Sequence, residues 1–186
     1  GQILNARFLN SQQDVFNDLG GIALSNFMQG FLGKKDGGDC SGFVSLVNKN
    51  INSVFFSETN LLKFYGEQGS KSQAIYNFYK KRNLTSQTSP KLGDLLFFNN
   101  TTSQTKGKNK QIITHLGIID RIEDDGTIRF MHNTRGKNKS GFINLFQKNS
   151  HKIGGKEVNS YIVACKGGDA NCLTSNRFAG FGKVNF

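Results

Sequence analysis

The chain has 186 residues, 36% of them hydrophobic, with 17 Phe and no Trp; this is enough to bury a core, and one domain over 1–186 accounts for the length. No apolar run reaches the roughly 18 residues of a membrane span. The opening Gly1-Gln2-Ile3-Leu4-Asn5 lacks the basic and apolar regions of a signal peptide, which is no argument for the cytoplasm. A net charge of +11 predicts an anionic partner or surface. The lysines are spread along the chain, and no recognition-helix, zinc-finger or RNP-type motif is present, so a generic basic surface is favoured over nucleic-acid binding.

In chain order, Gln12 to Gln29 carries Val15, Leu19, Ile22, Ala23 and Phe27 at loosely helical spacing, and Gly20-Gly21 predicts a broken helix or two short ones. Gly30 to Gly38 is a glycine-rich approach without the phosphate-loop pattern. Phe43, Val44 and Val47 then predict a helix from Ser41 to about Lys49, with Cys40 at its start. Ser57 to Arg82 reads as further helix, broken near Gly66 to Ser70, in which Tyr65, Tyr76 and Tyr79 either line a groove or pack.

Pro90 and the turn Lys91-Leu92-Gly93-Asp94 lead into a strand, Leu95 to Asn99, with Asp94 as a turn residue rather than a catalytic one. Asn100 to Gln111 reads as a flexible, solvated loop. Two strands follow, one from Thr114-His115 to Asp120 and one from Ile128 to Asn133 that contains His132 near its end, joined by the turn Glu123-Asp124-Asp125-Gly126. The acidic turn lacks calcium-loop spacing, and no metal or other cofactor is expected. Beyond them lie a basic polar segment, Asn133 to Ser140, then His151 in a polar loop with no evident partner. A last strand, Tyr161 to Lys166, and a Phe- and Gly-rich tail, Leu173 to Phe186, laid over a face of the sheet complete the chain.

Cys40 is the residue around which chemistry gathers. Helix N-terminal N–H groups favour thiolate over thiol, and the flanking glycines leave room for a substrate backbone. A thiol nucleophile needs an imidazole to take its proton, and that imidazole needs a polar partner to fix its tautomer. Strands bearing His115 and His132 supply both. Asp39 and Ser41 support the turn and the oxyanion position, where a backbone N–H of Cys40 or its neighbour would act. Cys165 and Cys172 remain, either as a disulfide suited to an oxidising compartment or as two free thiols; the six residues between them disfavour zinc. Arg135 or Lys137 lies within sequence reach of a substrate carboxylate.

Four blocks, Asp39-Cys40-Ser41-Gly42-Phe43-Val44, Leu92-Gly93-Asp94-Leu95-Leu96-Phe97-Phe98, His115-Leu116-Gly117-Ile118 and His132, resemble the NlpC/P60 cell-wall peptidases over about Asp14 to Lys166. The resemblance implies an α+β, papain-like fold with the nucleophile helix packed on an antiparallel sheet, and an N-terminal helix beside it. It assigns the nucleophile to Cys40, the base to His115 and the orienting role to His132. It implies hydrolysis of peptidoglycan stem peptides, typically at the γ-D-glutamyl-diaminopimelate bond, in the cell envelope, periplasmic or secreted, where the anionic wall suits the charge. One departure is that Phe27 and Phe31 stand where many members carry a tyrosine upstream of the cysteine. A secreted antibacterial amidase, another thiol enzyme on a related fold such as a lipid acyltransferase, and a catalytically silent wall-binding module are the competing readings. A monomer is the default.

Overall fold

The computed structural model describes residues 19–67 and 69–186. Helix α1 runs over residues 19–29, followed by α2 (Cys40–Asn50), the short α3 (Glu58–Leu61) continued by a 3-10 turn (Leu62–Phe64), and α4 (Lys71–Lys81). The part of the predicted first helix before residue 19 lies outside the described residues. From residue 19 on, Gly20-Gly21 does not interrupt it. The glycines are there for contact: a Cβ on Gly21 would stand 2.4 Å from Leu92 Cβ, and one on Gly20 2.8 Å from Phe186 Cβ. Close packing offsets the propensity cost of roughly 1 kcal/mol per glycine.

Among the described residues eight strands follow these helices: β1 (Thr85–Ser86), β2 (Leu95–Asn99), β3 (Ile113–Ile122), β4 (Ile128–Thr134), β5 (Lys137–Ile143), β6 (Lys152–Ile153), β7 (Lys156–Glu157) and β8 (Phe178–Gly182). Six form one antiparallel sheet in the order β1-β8-β2-β3-β4-β5, and β6 and β7 pair separately. The result is the α+β architecture expected, helices on one face of an antiparallel sheet.

Period-two alternation explains the two cores. Leu95, Phe97, Leu116, Ile118 and Met131 face the helices, meeting Phe43, Val44 and Val47 of α2 and Ile75, Phe78 and Tyr79 of α4. Leu96, Phe98, Ile119, Ile128, Phe130, Ile143 and Phe181 face the other way and are covered by Leu92, Leu145, Ile162 and Phe178. Strand β2 is apolar on both faces because both faces are covered.

Three expectations need correction. The tail does not lie over a face of the sheet: Phe178–Gly182 enters it as β8, pairing with β2 from Leu95↔Gly182 to Phe98↔Phe178. Two glycines in five residues hide a strand from propensity, and only its neighbours make it one. The basic, polar segment Asn133 to Ser140 is a tight hairpin, turning at Arg135 (φ 54) and Gly136 (φ 77). Positive φ at both central residues matches the twist of the flanking strands. Tyr161 to Lys166 makes only an isolated bridge, Tyr161↔Leu173. Finally, Asn100 to Gln111 is mostly exposed but well tied. The buried Asn100 amide donates to Thr105 O and Lys110 O, both at 2.9 Å, and accepts from Ile112 N at 3.1 Å.

Candidate active site

Cys40 is the first residue of α2. Asp39 caps the helix from an extended backbone (φ −149, ψ −177), its Oδ1 accepting from Gly42 N at 2.7 Å and from Ser41 Oγ at 3.3 Å. Position 42 must be glycine, since a Cβ would stand 1.9 Å from Gly37 O. Asp39 and Ser41 therefore shape the turn that presents Cys40 at the helix start, where the first backbone N–H groups have no partner within the helix.

The thiol is half-buried. Its Sγ lies 3.4 Å from Ser72 Oγ and 4.0 Å from Thr114 O. Burial pushes the thiol upward from its ordinary value, against the lowering influence of Ser72 and of the backbone N–H groups of Leu116 and Ser41; Asp39 adds to the rise. The helix terminus favours thiolate as expected, but desolvation of the charged form outweighs it.

His115 and His132 come from adjacent strands and form a pair. Their Nε2 and Nδ1 atoms are 2.8 Å apart, with the rings edge to face at 5.0 Å between centroids. Both are buried, at 8% and 6% exposure. Phe98 and Phe130 pack against the pair, at 5.9 Å from His115 and 4.7 Å from His132. Burial lowers His115 to about 4 and lowers His132 as well, with the charges of His115 and Lys139 pushing His132 the same way. Both imidazoles are neutral at pH 7.

The fold therefore joins His115 to His132 by a hydrogen bond and sets Cys40 against the β3 backbone that carries His115. It does not join Cys40 Sγ to an imidazole: among the described residues its side-chain partner is Ser72. Ser72 is 97% removed from solvent and was not singled out from the sequence. A signal for it exists in Ser70-x-x-Gln73, since Ser70 caps α4 by accepting from Gln73 N at 3.2 Å. Gln73 Oε1 in turn accepts from Ile113 N at 2.8 Å, anchoring α4 to the start of β3 and bringing Ser72 to the thiol.

Other sequence candidates are dispersed. Tyr79 belongs to the core, donating to Phe55 O at 2.7 Å, and Tyr76 packs edge-on against Phe97 at 5.2 Å. Tyr65 is 39% exposed. Arg135 lines a cavity of about 540 Å³ together with His132, Thr134, Lys139, His151 and Tyr161; Tyr65 does not. His151 does have partners, its Nδ1 lying 2.7 Å from Asn159 O and its ring 4.7 Å from that of Tyr161. Cys165 and Cys172 are joined in a disulfide with Cα atoms 6.3 Å apart.

Helix-borne thiol, antiparallel sheet and buried histidine pair define a papain-like thiol hydrolase. A family profile described as NlpC/P60 family matches residues 20–152, and the chain belongs to that family. It is a cysteine peptidase of the peptidoglycan-hydrolysing kind. No curated protein and no solved structure matches the chain. No helix among the described residues is long and apolar enough to cross a membrane, and the disulfide suits an extracytoplasmic setting.

Proposed function

We propose that the chain cleaves the γ-D-glutamyl-diaminopimelate bond of peptidoglycan stem peptides, with Cys40 as nucleophile, His115 as base and His132 as the residue that orients it. The observation that carries this reading is the 2.8 Å hydrogen bond between His115 Nε2 and His132 Nδ1, on the strand whose Thr114 O lies 4.0 Å from Cys40 Sγ. With Nε2 committed to His132, Nδ1 is the nitrogen left to His115 for the thiol.

In the free enzyme the thiol rests on Ser72 and is protonated. As substrate enters, Cys40 turns from Ser72 toward His115. Nδ1 takes the thiol proton while sulfur attacks the amide carbonyl, and the oxyanion is held by N–H groups at the start of α2. The C–N bond then breaks, the leaving amine takes the proton from His115, and a thioester remains. Water, deprotonated by the same nitrogen, hydrolyses the thioester and returns the thiol. Arg135, which forms no ion pair among the described residues, is the cation we assign to a substrate carboxylate. We place the enzyme in the periplasm or outside the cell, where a disulfide persists and the anionic wall meets a basic surface.

The test is mass spectrometry of purified peptidoglycan fragments incubated with the protein and with Cys40→Ala. Products ending at D-glutamate that disappear in the variant are the expected result. No Cys40-dependent product from several wall chemotypes would leave a silent wall-binding module as the better reading.

A further inference from the structure

The cavity beside His132 is not part of the nucleophile's surroundings, and most of its far wall, from Glu157 to Gly168, lies outside the family match. Neither Cys40 nor His115 lines it; His132 does. If His115 is to accept a proton at Nδ1, its Nε2 must carry hydrogen and donate to His132 Nδ1, which leaves the remaining proton of neutral His132 on Nε2. That Nε2–H has no acceptor among the described residues, although His132 is 94% removed from solvent. Gly141 leaves it uncovered, for a Cβ there would stand 3.0 Å away. The donor therefore faces the cavity that His132 lines, where a ligand atom can reach it.

The charges around that space favour an anion. Lys139 is the cross-strand neighbour of His132, and Arg135 sits at the hairpin turn next to it. Neither forms an ion pair among the described residues. The single lining carboxylate, Glu157, accepts from Ser160 Oγ at 2.6 Å, and two cations stand against its one charge. His151 has Nδ1 turned to Asn159 O, and Tyr161 packs on its ring. The cavity is fixed on its outer side by the Cys165–Cys172 disulfide.

We propose that this cavity binds a carboxylate-bearing ligand whose carboxylate, set between Arg135 and Lys139, accepts a hydrogen bond from His132 Nε2 and so completes a carboxylate–His132–His115 relay. The inference rests on the proposed roles of His115 and His132. An anion at the outer end of the pair stabilises positive charge developing on His115, so the enzyme is a stronger base with the cavity filled than empty. The titratable or charged groups facing His132 are His115 from β3, Arg135 and Lys139 from the β4–β5 hairpin, and His151, Glu157 and Tyr161 from the segment beyond.

The test uses long-range ¹⁵N spectra of the histidine side chains in the Cys40→Ala protein, titrated with acetate and, separately, with a stem tetrapeptide as free acid and as carboxamide. A saturable shift of His132 Nε2, weakened about tenfold or more in Arg135→Asn/Lys139→Gln, is expected. Asparagine is chosen at 135 because it tolerates the positive φ found there. A shift produced by the free-acid peptide but not the carboxamide assigns the carboxylate to the substrate; a shift produced by acetate alone assigns it to a free anion. The active enzyme should then lose kcat, and not KM alone, when that carboxylate is withheld, with the acid limb of its pH profile moving down. No saturable shift, or one indifferent to the double substitution, overturns the proposal even where Cys40-dependent cleavage stands. A saturable shift in a protein that cleaves nothing keeps the binding site and overturns the relay.

Discussion

Cys40 illustrates how opposing local effects are ranked by magnitude. The helix start and the Ser72 hydroxyl both stabilise thiolate, yet burial at the junction of α2, α4 and β3 pushes the thiol upward. A neutral imidazole and a protonated thiol imply proton transfer during attack rather than a standing ion pair. The expected outcome is thiolate absorbance that rises only above pH 9 in the free enzyme. Ser72→Ala should move that rise to still higher pH and slow alkylation by iodoacetamide about threefold at neutral pH, with the fold intact. Titration near pH 6, or one unmoved in the variant, would contradict this account. Cys40, His115 and His132 stand out in the sequence as candidates because cysteine and histidine are chemically distinctive. Ser72 does not, because a serine near a helix cap looks like any other until α4 is docked on β3.

At the scale of elements, the join between β2 and the chain's end is made by one carboxylate. Asp94 is fully buried; it accepts from Lys91 N at 2.9 Å and Val184 N at 3.1 Å and pairs with Lys91 and Lys183. The turn that reads as Lys91-Leu92-Gly93-Asp94 therefore also fastens the segment after β8, while Lys91 Nζ reaches Val184 O. Asp94→Ala removes the anion shared by two ammonium groups and leaves two backbone donors without their acceptor, and should cost about 3 kcal/mol, read as a lower denaturant midpoint with Cys40-dependent cleavage retained in the folded fraction. A change within about 0.5 kcal/mol would mean that water replaces the carboxylate. Strand β5 was missed for a different reason: its alternation of Lys137, Lys139 and Gly141 with Asn138 and Ser140 is polar on both faces, and polar strands carry little periodic signal. What makes it a strand is Asn138, whose amide is buried against Phe31 O and Asp36 O at 3.2 and 3.1 Å.

For the whole molecule, the buried histidine pair couples acidity to folding. His115 titrates at about 4 when folded against an ordinary 6.5, so the unfolded chain binds more protons between these values. Stability from this group is fully present above pH 6.5 and is lost as pH falls toward 4, a change on the order of 3 kcal/mol. His132, lowered well below 6.5, adds loss of the same sign. Urea midpoints should fall steadily over that range and fall less in His115→Gln; a flat profile would mean the imidazoles are solvated. The helix-bearing cysteine, the two histidine strands and the α+β class were determined by the sequence itself, since local patterning and side-chain chemistry act over a few residues. Only the tertiary structure decided that Phe178–Gly182 lies inside the sheet, that the thiol rests on Ser72, and that His132 borders a cavity built by the segment beyond the family match. Each of these depends on contacts between residues far apart in the chain, where no local preference speaks.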